Sequence, residues 1–512
     1  MREKWSSRSA FILAAIGSAV GLGNAWRFPG LAAKYGGGAF IFVYVIAMII
    51  IGIPLLMMEI SVARHTRLGA PGSMRTLRKG SEGIGWIAVS NSIFVSIYYA
   101  AVFAWIIMMF FMSYKFMGLT GNTEAASTLW LDTVKATGDF SGFDIISWPV
   151  FGCLILAWVL CYVCIRNGTT TVGKVVKFTV SLPVICLVIM AFRGLMMPGA
   201  MEGFAKLFIP DWTALADSNL WVDAIGQVFY SLSTSMAVMF AYGSFLSSDS
   251  NVVTDTVIIA FADMFISLLA GIVMFTTMAG TGMLGDMSAS GISTAFIIYP
   301  QAIVKISDSS VFNMIFAFIF YFCLITLAID SLFSMVEGAS TAISDKFHLN
   351  KKKTTLTLCI TEGIASLIFV TGAGVAILDT VDYFVNSYTL IMTGVAEMIT
   401  AGWFFKTTKI LDEINRNTGK FKAPSWWFIP SIRIISPAVL IGLIIWNIIT
   451  LMKSGGIYGA ADGYPLWANI VFGWCIIILS IMSGLIVKLV VKIRSSRGFT
   501  EDDRSWDDAG NS

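Results

Sequence analysis

Residues 11–29, FILAAIGSAVGLGNAWRFP, constrain this chain more than any other stretch. The run is apolar and long enough to enter a bilayer, yet Gly17, Gly21 and Gly23 crowd its middle, followed by Asn24, Arg27 and Pro29. Glycine in a helix interior costs about 1 kcal/mol against alanine, and hydrocarbon offers no water to the backbone groups an unwound turn sets free. Broken backbone at that depth is tolerated where it lines a protein cavity, where bare carbonyls suit a small cation and helix ends suit a charged ligand. Close helix packing explains Gly17 and Gly21, four apart on one face. It does not explain Gly23-Asn24 or Arg27, so the segment is expected to form a site rather than an anchor.

Hydrophobic residues make up 57% of the 512 residues and charged residues 13%, against about 25% charged in a soluble domain. A membrane helix takes about 20 apolar residues. Twelve candidate spans follow, at about 9–33, 38–63, 86–117, 148–166, 172–198, 221–247, 253–280, 309–345, 354–374, 378–405, 428–452 and 466–490. The expected class is an all-α membrane protein. The first run is too long for a cleavable signal peptide and lacks a small-residue cleavage site.

Basic residues mark the topology. Arg64, Arg67, Arg75, Arg78 and Lys79 follow the second span, Lys346 and Lys351–Lys353 the eighth, and Lys406, Lys409, Arg416, Lys420 and Lys422 the tenth. Residues 118–147 instead hold Glu124, Asp132, Asp139 and Asp144 against Lys135. Basic loops stay cytoplasmic, so both termini are expected inside, with the loop near Asp249 and Asp255 placed there by count alone. These runs signal topology and not nucleic-acid binding. The seven cysteines all fall in candidate spans, and Asn167-Gly-Thr, the one glycosylation match, lies on the cytoplasmic side. Without a disulfide framework, a bacterial inner (cell) membrane is the expected location, with the lipid bilayer as surroundings and no obligatory protein partner.

A second interruption is expected in span six, where Ser231-Leu-Ser-Thr-Ser235 follows Gln227, Phe229 and Tyr230. Hydroxyls can satisfy backbone where a membrane helix unwinds; a polar seam between helices is the alternative. Paired interruptions in corresponding segments point to a transport site. Acids inside a membrane carry functional weight: Asp263 lies mid-span in helix seven and Asp330, followed by Ser331, in helix eight. Their oxygens suit an alkali or alkaline-earth cation rather than zinc. Glu59, Glu337, Glu362 and Glu397 are assigned structural roles, and His65 and His348 are expected to be solvated in basic loops. Gly173 and Pro183 flank a stretch of span five that is either a static kink or a hinge opening a water path from the cytoplasm.

These residues resemble the neurotransmitter:sodium symporter family, in the form of its bacterial leucine transporter. The motifs are GSAVGLGNAWRFP, GGGAF at 36–40, GIPLLMMEI at 52–60, SIYY at 96–99, GQVFYSLS at 226–233 and LAIDS at 327–331, and the likeness runs to about Pro437. The resemblance implies a 5+5 inverted repeat with helices 1 and 6 broken. Residues 1–198 and 199–406 would be the repeats, 407–493 two added helices and 494–512 a cytoplasmic tail. It implies a first sodium site at Ala19, Asn24, Ser231 and Asp263, and a second at Gly17, Val20, Leu327, Asp330 and Ser331. Substrate would lie against Ser18, Ala19, Leu22, Gly23, Val95, Tyr99, Tyr230, Ser231, Ser233, Met236, Ser331, Leu332 and Met335. Arg27 and Asp382 would form the outer gate, and Arg2, Trp5 and Asp345 the inner one.

The chain departs from that transporter at Asp263 (asparagine there), Ser267 (glutamate), Asp330 (threonine), Ser235 (glycine), Phe245 (tyrosine) and Glu337 (glutamine). Family members with serine and asparagine at positions 267 and 263 need chloride. Here Asp263 supplies the negative charge, close to Tyr44, Gln227 and Ser231, and no chloride requirement is expected. Once sodium leaves, Asp263 would take up a proton and the empty carrier would export it. The expected function is sodium-coupled uptake of a neutral, apolar amino acid by alternating access, with no enzymatic activity. A sodium-gated channel or a non-transporting amino-acid sensor on the same fold is a second reading. An intramembrane aspartyl protease is a third, but it needs a GxGD-type loop that the sequence around Asp263 and Asp330 lacks.

Overall fold

The computed structural model describes residues 3–119, 121–287, 290–495 and 504–509; Arg2, expected at the inner gate, lies outside them. The chain is 80% helical, with no strand among the described residues. Nine helices there are long and apolar enough to cross a membrane: Gly38–Thr66, Glu82–Gly118, Trp148–Ile165, Thr169–Leu195, Val252–Gly280, Ser310–Phe347, Lys351–Val370, Ser425–Lys453 and Leu466–Ser495. A tenth is the bent pair Arg8–Ala19 and Gly23–Lys34, whose axes turn by 52°. The stretches expected as spans six and ten are helical too. The first is split into Ser218–Ser231 and Val238–Ser244, and the second, at 374–404, carries Asp379, Asp382 and Glu397. Phe192, Ile364, Trp403 and Leu485 stand more than half exposed around the outside, as side chains facing lipid do. The seven cysteines are free.

Helix starts follow from short polar caps. The side chains of Ser7, Ser147, Asn251, Ser309 and Asn350 each accept a hydrogen bond from a first-turn amide, answering donors that have no helical partner. The helices 82–118 and 310–347 pack along each other. Arg8–Ala19 lies against Thr169–Thr179, Val252–Gly280 and Ser310–Phe347, while Val238–Ser244 lies against the 53–66 stretch and the 310–347 helix.

Both breaks occur where the sequence places them. At the first, Val20 leaves the helix with φ −81° and ψ 98°. At the second, Ser233, Ser235 and Ala237 adopt φ of 51°, 61° and 60°, a left-handed conformation that costs a non-glycine residue about 1–2 kcal/mol. Side chains from neighbouring helices take up the released backbone groups. Glu59 Oε1 accepts the Ser235 amide at 2.8 Å, Asn91 donates to the Ser235 carbonyl at 3.0 Å, and Ser92 donates to the Met236 carbonyl. These contacts make the unwound turn affordable without water.

At the basic end, the 38–66 helix is tied to the Thr407–Ile414 helix. Arg64, only 2% exposed, donates to Glu413 Oε1 at 2.7 Å and to the carbonyls of Glu413 and Ser250. His65 departs from its expected solvation. Its ring stacks on Trp506 with centroids 3.9 Å apart, and its Nε2 lies 2.9 Å from the Trp506 carbonyl. The apolar indole face shields the imidazole, and no sequence period linked two positions so far apart. His348 ends the 310–347 helix in a left-handed cap.

Burial pushes the Glu413 carboxyl up, but the His65 hydrogen bond and the Arg64 charge outweigh it and hold the group below its ordinary 4.5. A depressed folded value gives stability that is present above the ordinary value and lost as pH falls through the folded one. Glu413→Gln should therefore lower the melting temperature in detergent near neutral pH, by the equivalent of about 3 kcal/mol for an abandoned buried arginine. The gap between wild type and variant should not narrow between about pH 7 and about pH 5 and should close only in stronger acid; a gap already closing at pH 6 contradicts this assignment.

Candidate transport site

The site grows from the two breaks. Asn24, just past the first, turns its side chain inward. Its Oδ1 accepts the Gly21 amide at 2.9 Å, and its Nδ2 lies within donating distance of Asp263 Oδ1 (2.7 Å), Ser267 Oγ (2.8 Å) and Ser231 Oγ (3.0 Å). Ser231, the last residue before the second break, donates to the Asp263 carboxylate at 2.7 Å, and Tyr44 donates to its other oxygen at 2.9 Å. Four elements thus meet on one carboxylate that is wholly buried. The Ala19 backbone, assigned to the same site, borders the adjoining cavity. Gln227 departs from its expected place beside Asp263: its amide reaches the Gly23 carbonyl at 3.2 Å, an oxygen that also accepts the Phe28 amide.

The second carboxylate is built differently. Asp330, 2% exposed, accepts from the Thr179 hydroxyl at 2.7 and 2.8 Å. Gly17 passes so close that a Cβ there would sit 2.5 Å from Asp330 Oδ2, so backbone and carboxylate face each other with nothing between. Val20 and Leu327 are buried nearby, Leu327 one turn before Asp330 on the same helix. Ser331 turns instead to the Ser18 carbonyl, at 3.3 Å. Both clusters present oxygen atoms, the donor set of a hard cation, and no group of three or more His, Cys, Asp or Glu among the described residues could hold a transition metal. Asp263 and Asp330 keep separate partners and form no dyad.

Between the clusters lies a cavity of about 20 Å³ bordered by every expected substrate residue except Leu332. That is room for about one water, so a larger guest must part the walls. Leu332 is buried behind them. Ser18, Ser233, Ser331 and Tyr99 supply the polar wall and Leu22, Val95, Met236 and Met335 the apolar one; among the described residues no charged side chain borders the space. Ser233 donates to the Ser18 carbonyl at 2.8 Å, and the Tyr99 hydroxyl accepts the Leu22 amide at 3.3 Å. Two glycines are required by contact: a Cβ at Gly21 would meet Ser331 Oγ at 2.6 Å, and one at Gly23 the Tyr230 ring at 2.7 Å. Sequence reasoning missed Thr179 and Ser334, whose hydroxyl lies 2.9 Å from that of Ser18. Thr179 was marked by its place four residues before Pro183; Ser334 carried no such mark.

The two ends of the site differ. Beyond Tyr99 and Tyr230 opens a vestibule of about 470 Å³ that includes Arg27, Asp379 and Asp382. No ion pair joins Arg27 to Asp382: Arg27 stands 5.5 Å from the Tyr230 ring centre, and Asp382 accepts from Asn386 at 2.7 Å. The opposite, basic end is shut. Trp5 donates to the Tyr242 carbonyl at 3.0 Å and packs edge-on against the Tyr242 and Phe245 rings. Lys351 pairs with buried Glu337 and lies over Phe245 at 4.2 Å. Asp345 accepts the Gly69 amide at 2.8 Å.

The profile of the sodium:neurotransmitter symporter family matches residues 2–118 and 116–496. An uncharacterised sodium-dependent transporter of Methanocaldococcus jannaschii is 30% identical over 96% of this chain and 99% of its own length. The rat sodium-dependent neutral amino acid transporter B(0)AT3 is 29% identical over 90% of this chain and 86% of its own. Human sodium- and chloride-dependent GABA transporter 2 is 28% identical over 94% and 85%. With a match of this extent, the chain belongs to the sodium:neurotransmitter symporter family, and it is a membrane transporter rather than an enzyme.

Proposed function

We propose that this protein takes up a neutral, apolar amino acid across a cell membrane together with sodium, by alternating access over twelve spans with both termini on the basic, cytoplasmic side. The observation that carries this reading is the cavity between two buried carboxylates, bordered by both broken helices and, among the described residues, by no charged side chain. A zwitterion brings a carboxylate that can meet sodium near Ala19 and Asn24, and an ammonium that the bare carbonyls of the first break can accept. A monoamine lacks the first group, and Ser18 offers it no counter-charge. Methionines 236 and 335 adapt to several apolar side chains. An open vestibule at one end and a plugged basic end correspond to the outward-facing arm of the cycle.

Sodium on Asn24, Ser231 and Asp263, and on Gly17, Val20, Leu327, Asp330 and Ser331, would neutralise carboxylates that are costly to keep charged in a membrane. Closure over substrate would bring Tyr99 and Tyr230 together and draw Arg27 toward Asp382. The relative named for neutral amino acids supports the substrate class. A sodium-gated channel would need no such closure, and it is separated from this reading by accumulation against a gradient.

Purified protein in proteoliposomes should therefore accumulate leucine-like amino acids when sodium is outside, and dopamine or serotonin should not accumulate. Monoamine uptake matching that of neutral amino acids would refute the substrate class. Asp330→Ala should abolish sodium-dependent uptake in a protein that still folds.

The anion follows from the same geometry. Tyr44, Ser231 and Asn24, the donors that could cradle a halide, already converge on the fixed charge of Asp263. Replacing chloride with gluconate should leave uptake unchanged, and Asp263→Asn should make it chloride-dependent. Collapse of wild-type uptake in gluconate would overturn the charge-substitution argument.

A further inference from the structure

Glu362 is a membrane-embedded acid that the transport site does not use. It stands on the span Lys351–Val370, about 16 Å along the axis from Lys351 and so near the middle of a hydrocarbon core about 30 Å thick. Ile360 and Ile364 of the same helix face outward, whereas Glu362 is 2% exposed and meets Ser96 of the 82–118 helix. Ser96 Oγ lies 2.9 Å from the Ile93 carbonyl and 2.6 Å from Glu362 Oε2, yet a serine hydroxyl carries one proton. Both contacts are hydrogen bonds at once only if Glu362 brings the second proton. Its carboxylic acid then donates to Ser96 Oγ, and Ser96 donates to Ile93.

No cation offers an alternative. Among the described residues Ser96 is the one hydrogen-bonding partner of the carboxyl, and Glu362 Oε1 has none. The titratable groups facing it are the Cys161 thiol of the 148–165 helix and Cys359, one turn back on its own helix; neither brings positive charge. The 310–347 helix packs against this span as well, and no charged group on it bears on the carboxyl. A route leads to one side only as far as Leu358. Thr354 and Leu358 precede Glu362 by two turns and one turn on the same face, and both border a groove of about 320 Å³ with Asn350 and Lys353 at the basic end.

We infer that Glu362 is a proton-binding site, distinct from Asp263 and Asp330, that exchanges with the basic side of the membrane through this groove and clasps the 82–118 helix one turn before Tyr99. This goes beyond the proposed function and rests on it only for the part Tyr99 plays in holding substrate. In the protonated form the two helices share a neutral hydrogen bond. When the proton leaves to water in the groove, a carboxylate remains at mid-depth with one oxygen unpartnered, and Ser96 must turn its own proton from Ile93 to it. A charge there is too costly to leave dry. It draws water between the helices and loosens the pose of Tyr99.

Infrared spectroscopy of the full-length purified protein reads the proton directly. Wild type should show a carboxylic-acid C=O band that Glu362→Gln lacks and that Ser96→Ala, by removing the partner, shifts. Uptake into proteoliposomes holding the protein in one orientation reads the access. The wild-type KM for leucine should rise with inside pH above neutrality, by at most about tenfold per pH unit for one linked proton, and should ignore outside pH. Glu362→Gln, uncharged at every pH and still able to donate to Ser96, should transport with a KM that ignores inside pH too. Carboxylic-acid bands unchanged in both variants overturn the inference. So does a wild-type KM indifferent to inside pH, or a Glu362→Gln KM that keeps the full dependence. If wild type takes up no neutral amino acid, the proposed function fails, and the infrared band still decides the proton site.

Discussion

The structure depends on a carboxylate kept in a membrane interior without a fixed cation. An unpaired charge there costs several kcal/mol, so its surroundings must be arranged around it. Asp263 gathers Asn24, Tyr44 and Ser231 from three other stretches of chain. Asp330 holds Thr179 and lies against the backbone of Gly17. Each carboxylate therefore joins a broken helix to intact ones. A mobile cation that neutralised either would alter how those elements are held, which is the differential interaction that a conformational shift requires.

The broken helices need a second kind of support. Unwound backbone in hydrocarbon must find partners inside the protein, and here Glu59, Asn91 and Ser92 supply them for the second break. Those side chains belong to the 38–66 and 82–118 helices, so the unwound turn is anchored to both. The closed end is sealed by a different chemistry, with Trp5 wedged between aromatic rings and Lys351 bridging to Glu337. Aromatic packing and ion pairs of this kind can be exchanged for water more readily than a helix core.

Much of this was legible in the residues. Gly17, Gly21 and Gly23 announced the first break because glycine is disfavoured without a reason, and the structure places Asp330, Ser331 and Tyr230 where their side chains would be. Asp263 and Asp330 stood out because acids are rare in apolar runs. What stayed hidden depends on contacts between distant segments. Nothing near His65 pointed to Trp506, and Ser334 is one of many helix serines. The stacking of Leu332 behind the cavity wall, and the turn of Gln227 toward Gly23, depend on side-chain direction that a sequence period does not encode. The 374–404 helix was legible as a span from its apolar residues, and its backbone is continuous although Asp379, Asp382 and Glu397 stand in it.

The central claim is that Asp263 and Asp330 are two independent counter-charges for sodium on either side of one substrate cavity. Direct measurement of bound radioactive sodium per purified protein, with saturating substrate, tests it most directly. The account expects two ions in the wild type, one in Asp330→Ala and one in Asp263→Ala, with none in the double variant. Two ions retained in either single variant would contradict it.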